Sequence, residues 1–278
     1  MKIATVGKGG AGKTTIAGTL ARVLADRGAG VLAIDGDPNP NLALMLGVEQ
    51  ARIEGIPFIP PNIMRIKEDP DGTRRLELTH PESEVLERYS VGAPDNIKLI
   101  VMGHPPDGSA GSGCMCASHR AVRGLIAEMS AVGEHTITDM EAGLEHLKRG
   151  TARNVDIMLV VAEPYYRSLE AAARTCRLAR ELEVPHVFVV ANKVASDADS
   201  QAIAAFCSRH DMPIVATVPA DSRFVEAERA AKAPIDFDAN SPGVQAIRTL
   251  ADRLTEITTT GTPAARTGGS VSDAATDN

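Results

Sequence analysis

The sequence GKGGAGKTT, from Gly7 to Thr15, lies between an apolar run at residues 3–6 and an alanine-rich segment that begins at residue 13. It completes the pattern G-x-x-x-x-G-K-[ST], and a strand before it and a helix after it form the context of a phosphate-binding loop. The glycines let backbone N–H groups turn towards phosphates, and the helix directs its positive N-terminal end at the same anion. This stretch therefore predicts a nucleotide site and an α/β fold around it.

Individual residues of this loop have distinct expected roles. Lys13 is expected to reach the β- and γ-phosphates, and Thr14 to bind Mg²⁺ through its hydroxyl. The predicted nucleotide-binding residues of the loop are Gly7, Gly9, Gly10, Ala11, Gly12, Lys13, Thr14 and Thr15. Lys8 is a second lysine, which an ordinary phosphate loop does not need. By itself it could also be a solvated surface residue.

Apolar, β-branched segments alternate with alanine-rich helical ones along the chain, which predicts a doubly wound, mostly parallel α/β sheet with helices on both faces. The predicted strands are residues 2–6, 30–35, 97–102, 135–139, 155–161, 186–191 and 213–218. The predicted helices are residues 13–27, 41–46, 117–132, 144–149, 166–182, 198–209, 221–231 and 242–257. We expect one domain over 1–257, with a variable insertion at 50–95 and a disordered tail at 258–278.

Composition argues against several classes of protein. The chain has 278 residues, four cysteines and a formal net charge of −7. An acidic chain is a poor candidate for binding nucleic acid through clustered Lys and Arg. No apolar run approaches the roughly 20 residues of a membrane span, and the N-terminus enters a strand at once, so neither a membrane segment nor a signal peptide is predicted. With too few cysteines for a disulfide framework, we expect a cytoplasmic protein.

The pattern G-K-G-G-x-G-K-[ST]-[ST] resembles the deviant Walker motif of the MinD/ParA, nitrogenase iron-protein and arsenite-ATPase group. The resemblance implies that Lys8 reaches across a dimer interface to the nucleotide of the other subunit, which would couple ATP hydrolysis to dimerisation. It implies that Asp37, in DGDPN after the second strand, orients or activates the attacking water. In TDMEAG after a later strand, it implies that Asp139 holds the Mg²⁺ shell and that Gly143 senses the γ-phosphate through its backbone.

Two further segments resemble the positions that bind adenine in this group. Asn192 and Lys193 follow the strand HVFVVA, and Pro219 follows the strand PIVAT. An asparagine amide offers both a donor and an acceptor to the edge of the base. The alternative for Asn192 is that it is a turn residue.

The segment GSGCMC, residues 111–116, places Cys114 and Cys116 two positions apart. Two thiolates can bind one soft metal ion, but a tetrahedral site needs four ligands, which a two-fold dimer would supply. Four thiolates suit Zn²⁺ in a tetrahedron or Ni²⁺ in a square plane. His104 and His119 are possible additional ligands, although histidines on solvated loops are more common.

Together with DMEAGLEHLKRG, residues 139–150, the cysteine pair resembles the nickel-insertion ATPases of the CooC type, which mature carbon monoxide dehydrogenase. The resemblance covers most of residues 1–257, is weak at 50–95 and is absent from the tail. It implies a homodimer that hydrolyses ATP to ADP, binds one Zn²⁺ or Ni²⁺ between its subunits through Cys114 and Cys116, and delivers nickel. The client would be carbon monoxide dehydrogenase or a related nickel enzyme of the acetyl-CoA synthase type. His146 either links the nucleotide state to the metal or is structural.

Two alternative functions share the loop. A nitrogenase-iron-protein-like Fe–S reductase takes two cysteines per subunit that lie far apart in sequence, and Cys176 and Cys207 fall instead within alanine-rich helices, where we expect small core residues. A MinD/ParA-like positioning or partitioning ATPase would use a basic amphipathic helix or a basic surface. Neither alternative needs a C-x-C pair.

Overall fold

The computed structural model describes residues 1–60, 62–72, 74–102, 116–129, 134–143 and 154–260. The strands are β1 (Lys2–Gly7), β2 (Val31–Gly36), β3 (Phe58–Ile59), β4 (Met64–Glu68), β5 (Arg74–Leu78), β6 (Ser90–Ala93), β7 (Ile97–Met102), β8 (His135–Met140), β9 (Ile157–Ala162), β10 (His186–Val194) and β11 (Ile214–Pro219). The helices are α1 (Lys13–Asp26), α2 (Leu42–Leu46), α3 (Gln50–Ile53), α4 (Glu82–Tyr89), α5 (Cys116–Glu128), α6 (Tyr166–Glu181), α7 (Asp197–Arg209), α8 (Ser222–Arg229), α9 (Pro234–Phe237) and α10 (Pro242–Thr260).

Within the described residues, nine strands form one sheet in the order β11-β10-β9-β1-β8-β2-β7-β3, and β6 pairs with β7 from the same edge as β3. All pairs in this sheet are parallel except β6 with β7. The seven predicted strands are seven of these nine, so the predicted doubly wound fold is confirmed. β1 lies in the middle of the sheet, which puts the loop that follows it at the centre of the carboxyl edge.

Apolar clusters cover both faces of the sheet, as a parallel sheet between two helical layers requires. Ala4 and Val6 of β1 belong to one cluster, whereas Ile3, which points the other way, belongs to the second. Helices α5, α6 and α7 contribute to the first cluster, and α1 and α10 to the second. Because β2 and β9 are buried along their whole length, their sequences are apolar almost without alternation.

The segment at 50–95, expected to be an insertion, contributes both to the main sheet and to a separate hairpin. Its strands β3 and β6 pair with β7, while β4 and β5 form an antiparallel pair of their own. Met64 of β4 packs against Gly124 of α5, where an added Cβ would lie 2.3 Å from the methionine Cε. The hairpin therefore rests on the helix that begins at Cys116.

The last helix, α10, ends at Thr260, three residues beyond the predicted end of the domain at 257. The hydroxyls of Thr258 and Thr259 donate to carbonyls one turn earlier, at 3.1 Å from Leu254 and 3.0 Å from Thr255. The helix thus continues through three threonines, which helix propensity alone did not predict, and the hydroxyls of the first two bond to backbone carbonyls within it. Residues 261–278 and the predicted helix at 144–149 lie outside the described residues. In the part of the chain that is described, no helix is long and apolar enough for a membrane crossing.

Candidate active site

The predicted phosphate loop lies at the carboxyl edge of the sheet, between β1 and α1. Polar side chains end the neighbouring strands at this edge. They are Asp35 at the end of β2, Asp139 on β8, Glu163 directly after β9 and Asn192 on β10, and each is less than 10% exposed. The order of the strands thus brings residues that are far apart in the sequence close to one loop. Open α/β sheets bind ligands at this edge.

The loop backbone requires glycine where it passes its neighbours. Gly12 has a φ of +97°, and a Cβ there would lie 2.4 Å from Asn192 Nδ2. At Gly7, with a φ of +150°, a Cβ would lie 2.5 Å from the carbonyl oxygen of Val161. Gly12 is also the N-cap of α1 and has no side chain to cap it, which leaves the first N–H groups of the helix for an anion.

Lys13, Thr14 and Asp139 lie together at the start of α1. Lys13 is only 7% exposed. The Thr14 hydroxyl donates to Asp139 Oδ2 at 2.6 Å, and Thr5 donates to Asp139 Oδ1 at 3.0 Å. Because a hydroxyl has one proton and two lone pairs, a Thr14 that donates to Asp139 keeps its lone pairs for a cation. These contacts fit the predicted roles of Thr14 and Asp139 around Mg²⁺.

The electrostatics of the two buried aspartates also suit a cation. Burial raises the pKa of Asp139 to about 6, with Thr14 and Lys13 opposing the rise. Burial, followed by repulsion from Asp139, raises the pKa of Asp35 to about 7. Carboxylate and hydroxyl oxygens are the hard ligands that Mg²⁺ prefers. The positive charge of the metal ion would also offset the free-energy cost of ionising these buried carboxyl groups.

Asp35 shapes the segment that carries Asp37. Its Oδ1 accepts the Asp37 N–H at 3.1 Å, and its Oδ2 accepts the N–H groups of Asn41 and Leu42 at 3.0 and 2.8 Å. Asp37 is half-buried, and its own Oδ1 accepts the Asn39 N–H at 2.9 Å. Asp37 thus lies in a turn that Asp35 fixes at the mouth of the site, while its role towards water stays a prediction.

Asn192 supports the phosphate loop directly. It lies within β10, so the alternative of a turn residue is wrong. Its Nδ2 donates to the Ala11 carbonyl at 2.7 Å, and both residues are buried. The predicted adenine contacts of Asn192, Lys193 and Pro219 are compatible with these positions and stay predictions. Pro219 is half-buried at the end of β11.

Lys193 contacts the loop from the same strand. Its backbone has a φ of +57°, which breaks the alternation of β10. Its Nζ donates to the Gly10 carbonyl at 2.6 Å and pairs with Glu163 Oε1 at 2.8 Å. The strand therefore supports the loop at two successive residues, Gly10 and Ala11, through two successive side chains.

The second lysine of the loop, Lys8, is exposed and lies beside Tyr165. Its Nζ is 3.4 Å from the Tyr165 hydroxyl and 5.0 Å from the centre of the ring. Tyr165 in turn donates to Glu163 Oε2 at 2.5 Å. The sequence did not single out Glu163 or Tyr165. The available signal was a charged residue directly after the all-apolar strand β9, comparable to the aspartates near the ends of β2 and β8.

Other predicted residues are exposed or lie outside what is described. Gly143 is exposed, with a φ of +105°. Cys114, His104 and His146 are outside the described residues, as are the side chains of Cys116 and His119. Among the described residues, no group of three or more His, Cys, Asp or Glu could hold a metal ion.

The two remaining cysteines are core residues, as predicted. Cys176 is 1% exposed and Cys207 is 2% exposed. Burial raises the pKa of the Cys176 thiol to about 12 and that of Cys207 to about 11. Because thiolates rather than thiols bind metals, neither residue suits a metal site.

Comparisons with known proteins agree with this geometry. Residues 2–235 match the family described as the CobQ/CobB/MinD/ParA nucleotide binding domain. The chain is 39% identical over 237 residues to the carbon monoxide dehydrogenase accessory protein CooC of Rhodospirillum rubrum, covering 83% of this chain and 88% of that protein. It is 35% identical to an uncharacterized ATP-binding protein of Methanocaldococcus jannaschii, covering 87% of this chain and 93% of the other.

Solved structures share the fold at lower identity. The septum site-determining protein MinD of Pyrococcus horikoshii, complexed with Mg-ADP, superposes with a TM-score of 0.68 at 19% identity, over 92% of this chain and 96% of that one. A ParA family ATPase from Chlorobium tepidum gives a TM-score of 0.67, also at 19% identity, over 91% and 98%. At such identities the likeness concerns the fold alone. Together the matches confirm the fold class and the resemblance inferred from the loop.

Proposed function

Because this chain belongs to the CobQ/CobB/MinD/ParA nucleotide-binding family and is a CooC-like P-loop ATPase, we propose that it is an ATP-dependent metallochaperone for a nickel enzyme. Its client would be carbon monoxide dehydrogenase or an enzyme of the acetyl-CoA synthase type. The proposal is carried by the 39% identity to a carbon monoxide dehydrogenase accessory protein over 83% of the chain. Buried Lys13 and the hydrogen bond from Thr14 to Asp139 support the ATP site that such a function needs.

In the ATPase reaction, each group of the site has a task that its position supports. The N-terminus of α1 and buried Lys13 hold the phosphates. Asp139 accepts a hydrogen bond from the Thr14 hydroxyl, which leaves the lone pairs of that oxygen for Mg²⁺. The metal, when bound, supplies positive charge that offsets the charge developing on the phosphates. Asp37 holds the water whose oxygen bonds to the γ-phosphorus as the bond from phosphorus to ADP breaks, and the proton that this water loses passes to Asp37 or to the released phosphate.

The exposed position of Lys8 supports dimerisation as part of this function. Whereas Lys13 is buried, Lys8 is exposed and contacts Tyr165. We assign it to the nucleotide of a second subunit, where its charge would be used only when two subunits close. ATP binding would then favour the homodimer, and hydrolysis would release it.

Nickel is the cargo of this cycle. Cys114 and Cys116 from both subunits would provide four thiolates for one Ni²⁺, with Zn²⁺ as a competing ion. Helix α5 begins at Cys116 and has buried residues in the same apolar cluster as Met140 at the end of β8. A change around Asp139 on nucleotide binding would thereby be transmitted to the cysteine pair through one packed layer.

The two alternative functions are less well supported. The MinD and ParA structures share the fold at about 19% identity, and a net charge of −7 does not suit a DNA-partitioning protein. For an Fe–S reductase, the described cysteines outside the C-x-C pair are buried thiols. We therefore do not propose either one.

Metal titration with light scattering tests the proposal. We expect the wild type to bind about one Ni²⁺ or Zn²⁺ per dimer, and the variant Cys114→Ala/Cys116→Ala to bind none while still hydrolysing ATP. A matched control, Cys176→Ala/Cys207→Ala, removes the same number of thiols from the core and should titrate as the wild type does. A wild type that binds neither metal, or a C-x-C variant that binds as much as the wild type, would refute the metallochaperone.

A further inference from the structure

Lys8 is held by its own subunit. Its ammonium lies 5.0 Å from the centre of the Tyr165 ring and 3.4 Å from the hydroxyl, so one side chain offers it both a π face and an oxygen. Tyr165 is 41% exposed, and Lys8 is exposed. The contact therefore forms on the surface at the mouth of the nucleotide site, within reach of solvent and of another subunit.

The tyrosine itself is fixed by a buried carboxylate. Its hydroxyl donates to Glu163 Oε2 at 2.5 Å, and the Tyr165 N–H donates to the Glu163 carbonyl at 2.8 Å. Glu163 is 8% exposed, and its second oxygen pairs with Lys193 at 2.8 Å. A tyrosine held at both its backbone and its hydroxyl presents its ring in one orientation.

Glu163 also links this tyrosine to the phosphate loop. Lys193, which pairs with Glu163, donates to the Gly10 carbonyl at 2.6 Å. The loop is thus contacted at Lys8 and at Gly10 by side chains that share one carboxylate. A rearrangement of the loop around phosphates would act on both contacts together.

We propose that Tyr165, oriented by Glu163, is the resting site of Lys8 in the free subunit. It is a positioning residue that holds the second lysine on its own subunit until the nucleotide of a partner takes it. The inference rests on the proposed function in one respect, the transfer of Lys8 to a second subunit. The resting contact itself needs neither nucleotide nor partner.

The strength of this contact suits a reversible hold. A ring and a hydroxyl at an exposed site lower the population of unbound ammonium by a factor of roughly two to five. The triphosphate of a partner subunit carries several negative charges and binds an ammonium more strongly than a neutral ring does. Lys8 is therefore retained when alone and released on dimerisation, so the contact raises the protein concentration at which the ATP-bound dimer forms.

The first test measures Lys8 alone. Nucleotide-free protein is treated with a low concentration of an amine-acylating ester, and acylation of Lys8 is followed by peptide mass spectrometry relative to exposed Lys98. We expect Tyr165→Leu to raise the relative rate roughly two- to fivefold, because the ring and hydroxyl are both lost. Tyr165→Phe, which keeps the ring, and Glu163→Gln, which loosens the tyrosine, should lie between this value and the wild type.

Tyr166→Leu provides the matched control. Tyr166 is the adjacent tyrosine, is 69% exposed, and donates to Glu170 rather than contacting Lys8. Its replacement should leave the rate at Lys8 unchanged. A Tyr165→Leu rate equal to the wild type, or a Tyr166→Leu rate raised as much, would overturn the proposal. If Lys8 of Glu163→Gln were acylated at the wild-type rate, Glu163 would have no part in orienting Tyr165 for this contact.

The second test measures the consequence for assembly. With ATP and Mg²⁺, light scattering should show Tyr165→Leu dimerising at a protein concentration at least about twofold lower than the wild type, since its free state has lost the hold. An unchanged or higher concentration would contradict the competition between Tyr165 and the partner. If the wild type does not dimerise with ATP, the proposed function fails while the acylation result still decides the resting site.

Discussion

The two halves of the phosphate loop have different surroundings. From Ala11 to Thr14 the loop contacts buried groups, through Asn192 at 2.7 Å and Asp139 at 2.6 Å. From Lys8 to Gly10 it is exposed and contacts side chains that are partly in solvent. Its partners there are Tyr165 and Lys193.

This difference separates the contacts that one subunit forms by itself from the contacts that a second subunit could replace. Hydrogen bonds among buried groups cost much to break, whereas exposed ion pairs and cation–π contacts contribute little and exchange readily. The buried half is therefore formed before ATP arrives, and the exposed half can change partners. We infer that the first half belongs to the chemistry of one subunit and the second to assembly.

The largest expected effects come from replacing the lysine of either half, one at a time. Lys13→Ala removes a buried charge from the phosphates, and we expect ATP turnover to fall at least about 10²-fold, with nucleotide affinity lost as well. Lys8→Ala should abolish ATP-driven dimerisation and turnover, yet leave nucleotide affinity within about threefold of the wild type. Calorimetric titration with a non-hydrolysable ATP analogue, together with turnover and light scattering, measures all three.

Lys98→Ala, an exposed lysine on β7, is the control for a change of surface charge and should behave as the wild type. If Lys8→Ala lost nucleotide affinity as Lys13→Ala does, the division of the loop into two halves would be wrong. Normal turnover in either loop variant would refute the role assigned to that lysine.

A smaller effect is expected from the support of the buried half. Asn192→Ala leaves the buried Ala11 carbonyl without its donor, which should lower the free energy of unfolding by about 1–3 kcal/mol in urea denaturation. The exposed Asn240→Ala should change it by no more than about 0.5 kcal/mol. Equal effects of the two replacements would mean that the buried half is no better fixed than a surface turn.

The last expected effect, similar in size to that of Asn192→Ala, is a dependence of stability on pH. The pKa of Asp35 is about 7 in the folded chain and near 3.8 when unfolded, so the folded state holds its proton more tightly between these values. Its contribution to stability is therefore greatest at acid pH and declines as pH rises to 7, by on the order of 2 kcal/mol from pH 5 at about 1.4 kcal/mol per unit. We expect the nucleotide-free wild type to lose stability relative to Asp35→Asn over this range.

Thermal unfolding at several pH values gives this difference, and comparison with Asp35→Asn cancels the titration of groups that do not interact with Asp35. Adding Mg²⁺ and ATP should flatten the difference, because a cation near Asp139 offsets the charge around Asp35. A difference between the two proteins that stays constant from pH 5 to pH 7 would contradict the charge assigned to this edge of the sheet.

Most of the sheet and the buried half of the site were predictable from local patterns. Apolar runs marked the seven strands, the loop motif located Lys13 and Thr14, and the resemblance of TDMEAG to a family motif indicated Asp139. Glu163, Tyr165 and the loop contact of Lys193 were not predictable in this way. They meet the loop because β9 and β10 lie beside β1 in that order, and alternation along the chain does not specify the order of strands.

The cysteine pair differs in kind from these residues. Cys114 and Cys116 provide two thiolates in one chain, while a four-coordinate site needs four. In the proposed metallochaperone, their function would depend on the symmetry of an assembly rather than on the fold of one subunit. Sequence could indicate the chemistry of the pair but not the geometry in which it operates.

The contacts of the phosphate loop also set an order of events during synthesis. Thr14 meets Asp139 after 125 further residues, and Gly10 meets Lys193 after 183. At roughly 5–20 residues per second, those partners leave the ribosome about 6–40 s after the loop does. The nascent chain thus carries its ATP motif long before it can bind ATP tightly, and the ability to bind nucleotide marks a subunit whose central sheet is complete.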